Sequence, residues 1–208
     1  MPPLSHKLKK PVSHKTRHRH GSHHFLAAWI RSPLKIGAFL PSSRALARAM
    51  AAQVDMQNPG SIIELGAGTG VMTHALLQAG TARDRLIVIE RDERLHGIVC
   101  SHFPDLKVLC ADAMHLDKVL KDNGVKKINA IVSSLPLLSM PKPVREAIEH
   151  QMASVIGEHG IIVQFTYGTR SPIGGHQLRK HHLHGRRTKL VIGNLPPAHV
   201  WVYRRHEK

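Results

Sequence analysis

The alternation of apolar and polar positions from residue 61 onward predicts strands and helices in turn. Short β-branched runs are typical of buried strands, and longer stretches with apolar residues three and four apart are typical of helices. Seven strands are predicted, namely "SIIEL", "RLIVIE", "LKVLC", "INAIV", "IIVQFTYG", "TKLVIGN" and "HVWVYRR". The last two are expected to pair antiparallel and close the sheet. This pattern predicts a doubly wound α/β fold, with a mostly parallel sheet and helices on both faces.

The first 54 residues follow a different pattern. Residues 1–22 contain prolines, serines, six Lys or Arg and almost no large apolar side chain, so they are predicted to form a disordered basic tail. Residues 23–54 are predicted to form two N-terminal helices, and residues 55–208 a single α/β domain.

The first of these helices is short and amphipathic, with one apolar face formed by Phe25, Leu26, Trp29 and Ile30. That face either lies in a membrane interface beside the cationic tail or packs over the sheet as a covering helix. The second helix is predicted from Ser43 to about Val54, with a serine as its N-cap.

The chain has a formal net charge of +16, and the charged residues are distributed unevenly along it. Residues 1–54 contain ten Lys or Arg and no acid, and residues 169–208 contain nine basic residues and one acid. Residues 55–168 are nearly neutral. Two basic ends on a neutral body predict an anionic partner, either nucleic acid or a membrane surface. The two cysteines form neither a metal spacing nor a disulfide framework, and we expect buried, reduced thiols.

A glycine-rich loop, "GAGTG", directly follows the first strand and precedes a helix. Glycines let the backbone turn sharply and approach a ligand closely. A dinucleotide fingerprint would need a glycine at position 71, where the chain has Val71. Three acids follow strand ends: Glu64 before the loop, Glu90 after the second strand and Asp112 after the third.

This arrangement resembles the class I S-adenosylmethionine-dependent methyltransferases over residues 61–168. The resemblance implies that Glu64 serves the amino acid end of the methyl donor, Glu90 the ribose hydroxyls and Asp112 the adenine amino group. The donor contacts implied in the body of the domain are Glu64, Gly66, Gly68, Thr69, Gly70, Glu90, Arg91, Asp112, Ala113 and Ser133. A "GAFLPSS" segment that closes over the donor in related families adds Phe39, Ser42 and Ser43, although Ser43 could equally serve only as a helix cap.

The fourth strand runs into "SSLPLLSMP", which is similar to the proline-containing loop with which amino-group methyltransferases hold the target nitrogen. A polar side chain and the carbonyl before proline would accept hydrogen bonds from the amine. The rRNA adenine dimethyltransferases place an aromatic ring after this proline to stack the base, whereas this chain has Leu137. The missing ring predicts an acceptor that need not be flat.

Four segments, "FLAAWIRSPLKIGAFLPSSRALARAM", "IELGAGTGVMTHALL", "SSLPLLSMP" and "QFTYG", together resemble the bacterial phospholipid N-methyltransferases. That family is implied to methylate phosphatidylethanolamine and its mono- and dimethyl derivatives towards phosphatidylcholine. The residues expected to hold and deprotonate the amine are Ser134, Leu135, Gln164 and Tyr167, with Tyr167 as the proton acceptor unless it only packs. The lipid phosphate is expected to meet some of Arg170, His176, Arg179 and Lys180, most of which could be ordinary solvated charges.

The resemblance implies S-adenosylmethionine as cofactor, no metal, and a monomer attached peripherally to an anionic inner membrane from the cytoplasmic side. No metal spacing such as H-E-x-x-H occurs, and no apolar run is long enough to span a bilayer. The alternative is an rRNA adenine N6-methyltransferase or a basic RNA-binding protein with the same fold. Aromatic residues make up only 4% of the chain, and it ends a few residues after its last predicted strand, without the helical domain of the rRNA enzymes. We therefore do not expect a nucleic acid partner.

Overall fold

The computed structural model describes residues 40–194 and 196–206, apart from the side chains of residues 40–43 and of residue 189. The predicted tail at residues 1–22, the amphipathic helix at 25–30 and the donor contact Phe39 lie outside the described residues.

A seven-stranded sheet forms the centre of the domain, with the order β3-β2-β1-β4-β5-β7-β6. Strands β1 to β5 are parallel, and β7 pairs antiparallel with both β5 and β6. The predicted sheet and its antiparallel closing pair are thus confirmed. The strands are β1 (Ser61–Leu65), β2 (Leu86–Glu90), β3 (Lys107–Cys110), β4 (Ile128–Ser133), β5 (Ile161–Thr166), β6 (Leu183–Val191) and β7 (Ala198–Arg205).

Helices cover both faces of this sheet. They are α1 (Leu40–Ala51), α2 (Val71–Gln78), α3 (Glu93–His102), α4 (Leu116–Asp122), α5 (Lys142–Val155) and α6 (Gly175–Lys180). The first three helices pack with Ile62 and its same-face neighbours in one hydrophobic cluster. Helices α4 and α5 pack with Ile63 in the other. β1 is buried on both faces, and three of its five residues, Ile62, Ile63 and Leu65, are apolar.

Helix α1 begins three residues before the predicted start, at Leu40. Ser43 therefore lies inside the first turn, and its predicted role as the N-cap is wrong. Pro41 is tolerated in that turn because the first amides of a helix have no intrahelical partner. The helix buries Leu46 and Met50 against the sheet, and full burial of such a side chain stabilises a fold by about 1.5–3 kcal/mol.

Strand β6 begins five residues earlier than predicted and includes the run His184-Gly185-Arg186-Arg187, which precedes the predicted strand "TKLVIGN". An edge strand is held by backbone pairing to one neighbour, so it can carry exposed charged side chains that hide its strand character. The short helices α4 and α6 were not predicted either.

The cysteines are free but not buried, so the expectation of buried thiols is wrong. Cys110 is exposed and Cys100 half-buried. The reason is position, since Cys110 ends β3 at the edge of the sheet. Within the part of the chain that the structure describes, no helix has the length and apolar character needed to cross a bilayer.

Candidate active site

The glycine loop joins β1 to α2, and its three glycines have left-handed backbone with φ of 77° at Gly66, 58° at Gly68 and 89° at Gly70. A Cβ on Gly66 would lie 2.7 Å from Leu135 Cδ2, so this glycine is required by close packing as well as by φ. A Cβ on Gly68 would instead meet no atom of the described part of the chain within 4 Å. The loop is therefore packed tightly at one glycine and open to a ligand at the next.

Glu64 is fully buried one residue before the end of β1. Neither of its carboxylate oxygens has a hydrogen-bond partner among residues 40–194 and 196–206. Burial raises the pKa of the Glu64 carboxyl to about 8; Thr73 opposes this rise without a well-formed hydrogen bond, and the Glu90 carboxylate adds to it. A buried carboxyl without a partner is costly, and its arrangement suits a cationic ligand that would supply one.

Glu90 ends β2 and is buried beside the glycine loop. Its Oε2 accepts a hydrogen bond from the Gly68 amide at 2.9 Å, and its Oε1 accepts one from the Asp92 amide at 2.9 Å. The carboxylate thus fixes the open part of the glycine loop. Each oxygen keeps a further lone pair for a ligand.

The predicted donor contacts after β2 and β3 lie next to each other. Arg91 forms an ion pair with Asp112 Oδ2 at 3.1 Å, while Asp112 Oδ1 caps the short turn Ala113–His115 by accepting from the Met114 amide. Ala113 is the buried first residue of this turn, and Thr69 is exposed on the glycine loop. These residues occupy the carboxyl edge of the parallel strands, where ligands bind in open α/β sheets.

The loop after β4 is attached to the end of β1. The Ser134 amide donates to the Leu65 carbonyl at 2.9 Å, and the buried Ser133 hydroxyl accepts from the Leu135 amide at 3.4 Å. The Leu135 side chain packs over Gly66, as the close approach of its Cδ2 shows. The predicted amine loop and the glycine loop are therefore in direct contact.

Gln164 lies in β5 beside the same loop, with its side chain fully buried. Its Nε2 donates to the Leu135 carbonyl at 2.9 Å, and the Leu137 amide donates to that carbonyl at 2.9 Å as well. Both lone pairs of the Leu135 carbonyl are thus occupied. The predicted acceptance of an amine hydrogen by this carbonyl requires one of these two bonds to open.

A small cavity of about 100 Å³ lies between the loop and the end of β5, lined by Pro136, Leu137, Leu138, Ser139, Phe165, Thr166 and Tyr167. Tyr167 is half-exposed there, and its ring meets Phe165 edge-on, with centroids 5.3 Å apart. Burial raises the pKa of the Tyr167 phenol, and Asn194 opposes the rise. The phenol is therefore protonated at neutral pH.

Leu137 was interpreted from the sequence as the residue that replaces a stacking ring. Its side chain is only 1% exposed and belongs to the hydrophobic cluster of α4 and α5. It is Leu138, 45% exposed, that faces outward from the loop. Packing in the hydrophobic core is therefore a second reason for a leucine, rather than an aromatic residue, at position 137.

The four basic residues predicted for the lipid phosphate do not gather at the cavity. Arg179 and Lys180 end α6 and lead into His181, whose carbonyl accepts from Arg205 at the end of β7. That end of β7 lies at the amino edge of the parallel strands, opposite the glycine loop. His176 is exposed on the same helix, and only Arg170, three residues after Tyr167, stays near the carboxyl edge.

Sequence reasoning missed three residues that the fold brings to the site. Thr73 lies beside Glu64, and Phe165 and Thr166 line the cavity. Thr73 follows shortly after the glycine loop, and Phe165 and Thr166 lie within the predicted motif "QFTYG". The alternation of β5 could have indicated that Phe165 and Thr166 end on opposite faces of the sheet.

Comparison with known proteins shows similarity to two kinds of methyltransferase, while no family model matches the chain. The chain is 28% identical over 145 residues to an ornithine lipid N-methyltransferase from Singulisphaera acidiphila, a match that covers 68% of this chain and 76% of that enzyme. It is 40% identical over 80 residues to ribosomal RNA small subunit methyltransferase A from Rhodopseudomonas palustris strain BisB5. The second match spans 36% of this chain and only 26% of the rRNA enzyme.

Solved structures with the same architecture include a TehB-like S-adenosylmethionine-dependent methyltransferase from Corynebacterium glutamicum, at a TM-score of 0.58 and 17% identity over 86% of this chain and 96% of that one. A second is the 1,6-didemethyltoxoflavin-N1-methyltransferase from Burkholderia thailandensis, with bound S-adenosylhomocysteine, at a TM-score of 0.61 and 13% identity over 96% and 94% of the two chains. The chain therefore has the Rossmann-like α/β fold of the class I S-adenosylmethionine-dependent methyltransferases.

Proposed function

We propose that this chain is an S-adenosylmethionine-dependent N-methyltransferase whose acceptor is a primary amine on a lipid headgroup. The observation that carries the proposal is the contact of the two loops, because Leu135 packs over Gly66 and ties the amine loop to the open glycine loop. A donor on one loop and an amine on the other would lie side by side, as in-line transfer requires. Similarity to an ornithine lipid N-methyltransferase over 68% of the chain supports the lipid acceptor.

Three acids at the carboxyl edge would hold the donor. The unpaired Glu64 carboxyl would meet the ammonium of its amino acid end, and Glu90 would accept from the ribose hydroxyls while keeping the Gly68 amide in place. Asp112 would accept from the adenine amino group beside its ion pair with Arg91. The donor supplies an electrophilic methyl group, so the protein mainly has to align the amine.

The cavity between Leu138 and Tyr167 would receive the amine. Gln164 holds the Leu135 carbonyl and so stiffens the loop beside this cavity, and the Tyr167 hydroxyl in its lining offers an acceptor for an N–H group. We propose that Ser134, earlier on the same loop, supplies a second acceptor. An ammonium must lose a proton before its nitrogen can attack, and this proton would pass to bulk water, because the Tyr167 phenol already carries its own and could not be the predicted proton acceptor. Because its pKa is raised, Tyr167 would orient the amine as a protonated phenol that accepts a hydrogen bond.

Two lipids are candidate methyl acceptors, and both differ from an RNA base. Phosphatidylethanolamine is our first candidate, and ornithine lipid is the second because of the similarity to the Singulisphaera enzyme. Both present a flexible primary amine at a membrane surface, where we propose that the enzyme works. The apolar lining of the cavity and the short match to the rRNA enzyme favour these lipids over a flipped base.

We expect methyl label from S-adenosylmethionine to enter lipid when the full chain is incubated separately with phosphatidylethanolamine vesicles, ornithine lipid vesicles and total RNA. The lipid that takes up label identifies the headgroup. Label in RNA with none in either lipid would contradict the proposed function.

Replacing Tyr167 by phenylalanine should lower turnover at least tenfold, because the variant loses a hydrogen-bond acceptor at the amine while keeping the ring against Phe165. Binding of S-adenosylhomocysteine, measured by calorimetry, should not change. The matched control is Tyr203→Phe, because the buried Tyr203 hydroxyl pairs with Ser171 at 2.8 Å and should affect stability rather than turnover. Unchanged turnover in the Tyr167 variant would remove this residue from the mechanism.

A further inference from the structure

Four large hydrophobic side chains are exposed in the described part of the chain, and all four lie at one edge of the sheet. They are Leu138, Tyr167, Leu190 and Ile192, and we call them the carboxyl-edge patch. Ile192 is the extreme case, with 77% of its side chain exposed in the turn between β6 and β7. Single exposed apolar residues are ordinary, but four at the rim of one cavity-bearing edge point to a binding surface.

Strand register establishes where the patch lies. Leu190 pairs with His199, and His199 pairs with Thr166 at the carboxyl end of β5. The turn that carries Ile192 therefore lies beside Tyr167, and Leu138 lines the same cavity as Tyr167. The patch surrounds the entrance through which an acceptor would reach the glycine loop.

The segment that carries three of the four patch residues, Tyr167, Leu190 and Ile192, contains cations and no acid. Residues 159–206 contain no aspartate or glutamate, while Arg170 after β5 is exposed. Gly193 in the turn packs against Ala45 of α1, which brings the exposed Arg44 to the same edge. Exposed apolar side chains beside the cations of an acid-free segment are complementary to the interface of an anionic bilayer.

We propose that the chain docks on anionic membranes through the carboxyl-edge patch, with Ile192 inserted among the acyl chains and the cavity facing the bilayer. This rests on the proposed lipid substrate and deepens it, since the headgroup amine would enter the cavity while the acyl chains of the lipid stay in the bilayer. The basic segment at residues 1–22 would add attraction from outside the described residues, so two surfaces would share the attachment.

The test uses the full chain and sedimentation with vesicles of equal parts phosphatidylglycerol and phosphatidylcholine. Ile192→Glu should weaken vesicle binding at least tenfold, because it removes an inserted side chain and adds a charge that the bilayer repels. The matched control is Lys126→Glu, an exposed position just before β4 at the opposite edge. This control changes the net charge by more than Ile192→Glu does, yet it should weaken binding less than twofold.

Equal losses of binding in the two variants would overturn the docking surface, because they would indicate attraction by net charge alone. Unchanged vesicle binding of Ile192→Glu together with a lowered melting temperature would also overturn it, since the patch would then be covered by residues 23–39 of the same chain. Sedimentation does not depend on catalysis. A failure of the docking surface is therefore distinguishable from a failure of the proposed function, which appears as absence of label in lipid.

Discussion

Replacing Glu64 by glutamine is expected to make the free protein more stable at pH 8 and to weaken its binding of the methyl donor. The pKa of the Glu64 carboxyl is raised to about 8, so the folded chain binds a proton that the unfolded chain releases between pH 4.5 and 8. Stability therefore falls as pH rises through this window, by at most about 1.4 kcal/mol per pH unit. Glutamine has no proton to lose, so the variant should not show this slope.

Donor binding should depend on pH in the opposite direction. A cationic ammonium prefers the ionised carboxylate, so the affinity of the wild-type protein for S-adenosylhomocysteine should increase about tenfold from pH 6 to pH 7 and level off near pH 8. The Gln variant should bind more weakly at pH 8 and lack this dependence. Calorimetric titrations across the range, with chemical unfolding of the free protein at each pH, measure both effects.

Glu149→Gln is the matched control for this experiment. Glu149 is also buried with a raised pKa, caused by burial, but it lies on α5 and accepts a hydrogen bond from the Gly174 amide. Its replacement should alter the pH dependence of stability and leave donor binding unchanged. If Glu64→Gln bound the donor with the pH profile of the wild type, Glu64 would not be the partner of the ammonium.

Replacing Gly68 by alanine should abolish most donor binding while destabilising the fold only modestly. The Cβ would meet no atom of the described residues within 4 Å, so the cost to the fold is the left-handed backbone at φ 58°, about 1–2 kcal/mol. The same methyl group would stand where the donor is proposed to lie. A loss of about 3 kcal/mol in binding free energy, or roughly 100-fold in Kd, is expected.

Gly124→Ala provides the control for backbone strain. Gly124 has φ 71° and equally open space at its Cβ, but it lies before β4 at the amino edge of the sheet. Both variants should show a similar decrease in melting temperature, and only Gly68→Ala should lose affinity for S-adenosylhomocysteine. Wild-type affinity in the Gly68 variant would mean that the donor does not approach the loop at this point.

Local patterns were sufficient to predict most of the fold. The five parallel strands, the antiparallel pair and the glycine loop were predicted because each depends on residues close together in the chain: β-branched runs for strands, and glycines for left-handed backbone. The positions of Glu64, Glu90 and Asp112 at the carboxyl edge follow from strand ends in a parallel sheet in the same way. Only the start of β6 was mispredicted, because the exposed charged side chains of this edge strand hide its strand character.

Contacts between distant segments were decided only by the tertiary structure. The occupied lone pairs of the Leu135 carbonyl depend on Gln164, which is 29 residues away in the chain. The burial of Leu137 depends on the helices that cover its face of the sheet, and the antiparallel course of β7 carries Arg205 and the basic residues near it to the wrong edge for the cavity. A residue's type and spacing determine which element it joins and which chemistry it offers. Packing and strand direction determine which atoms remain free to use that chemistry, because burial and pairing are properties of the assembled chain.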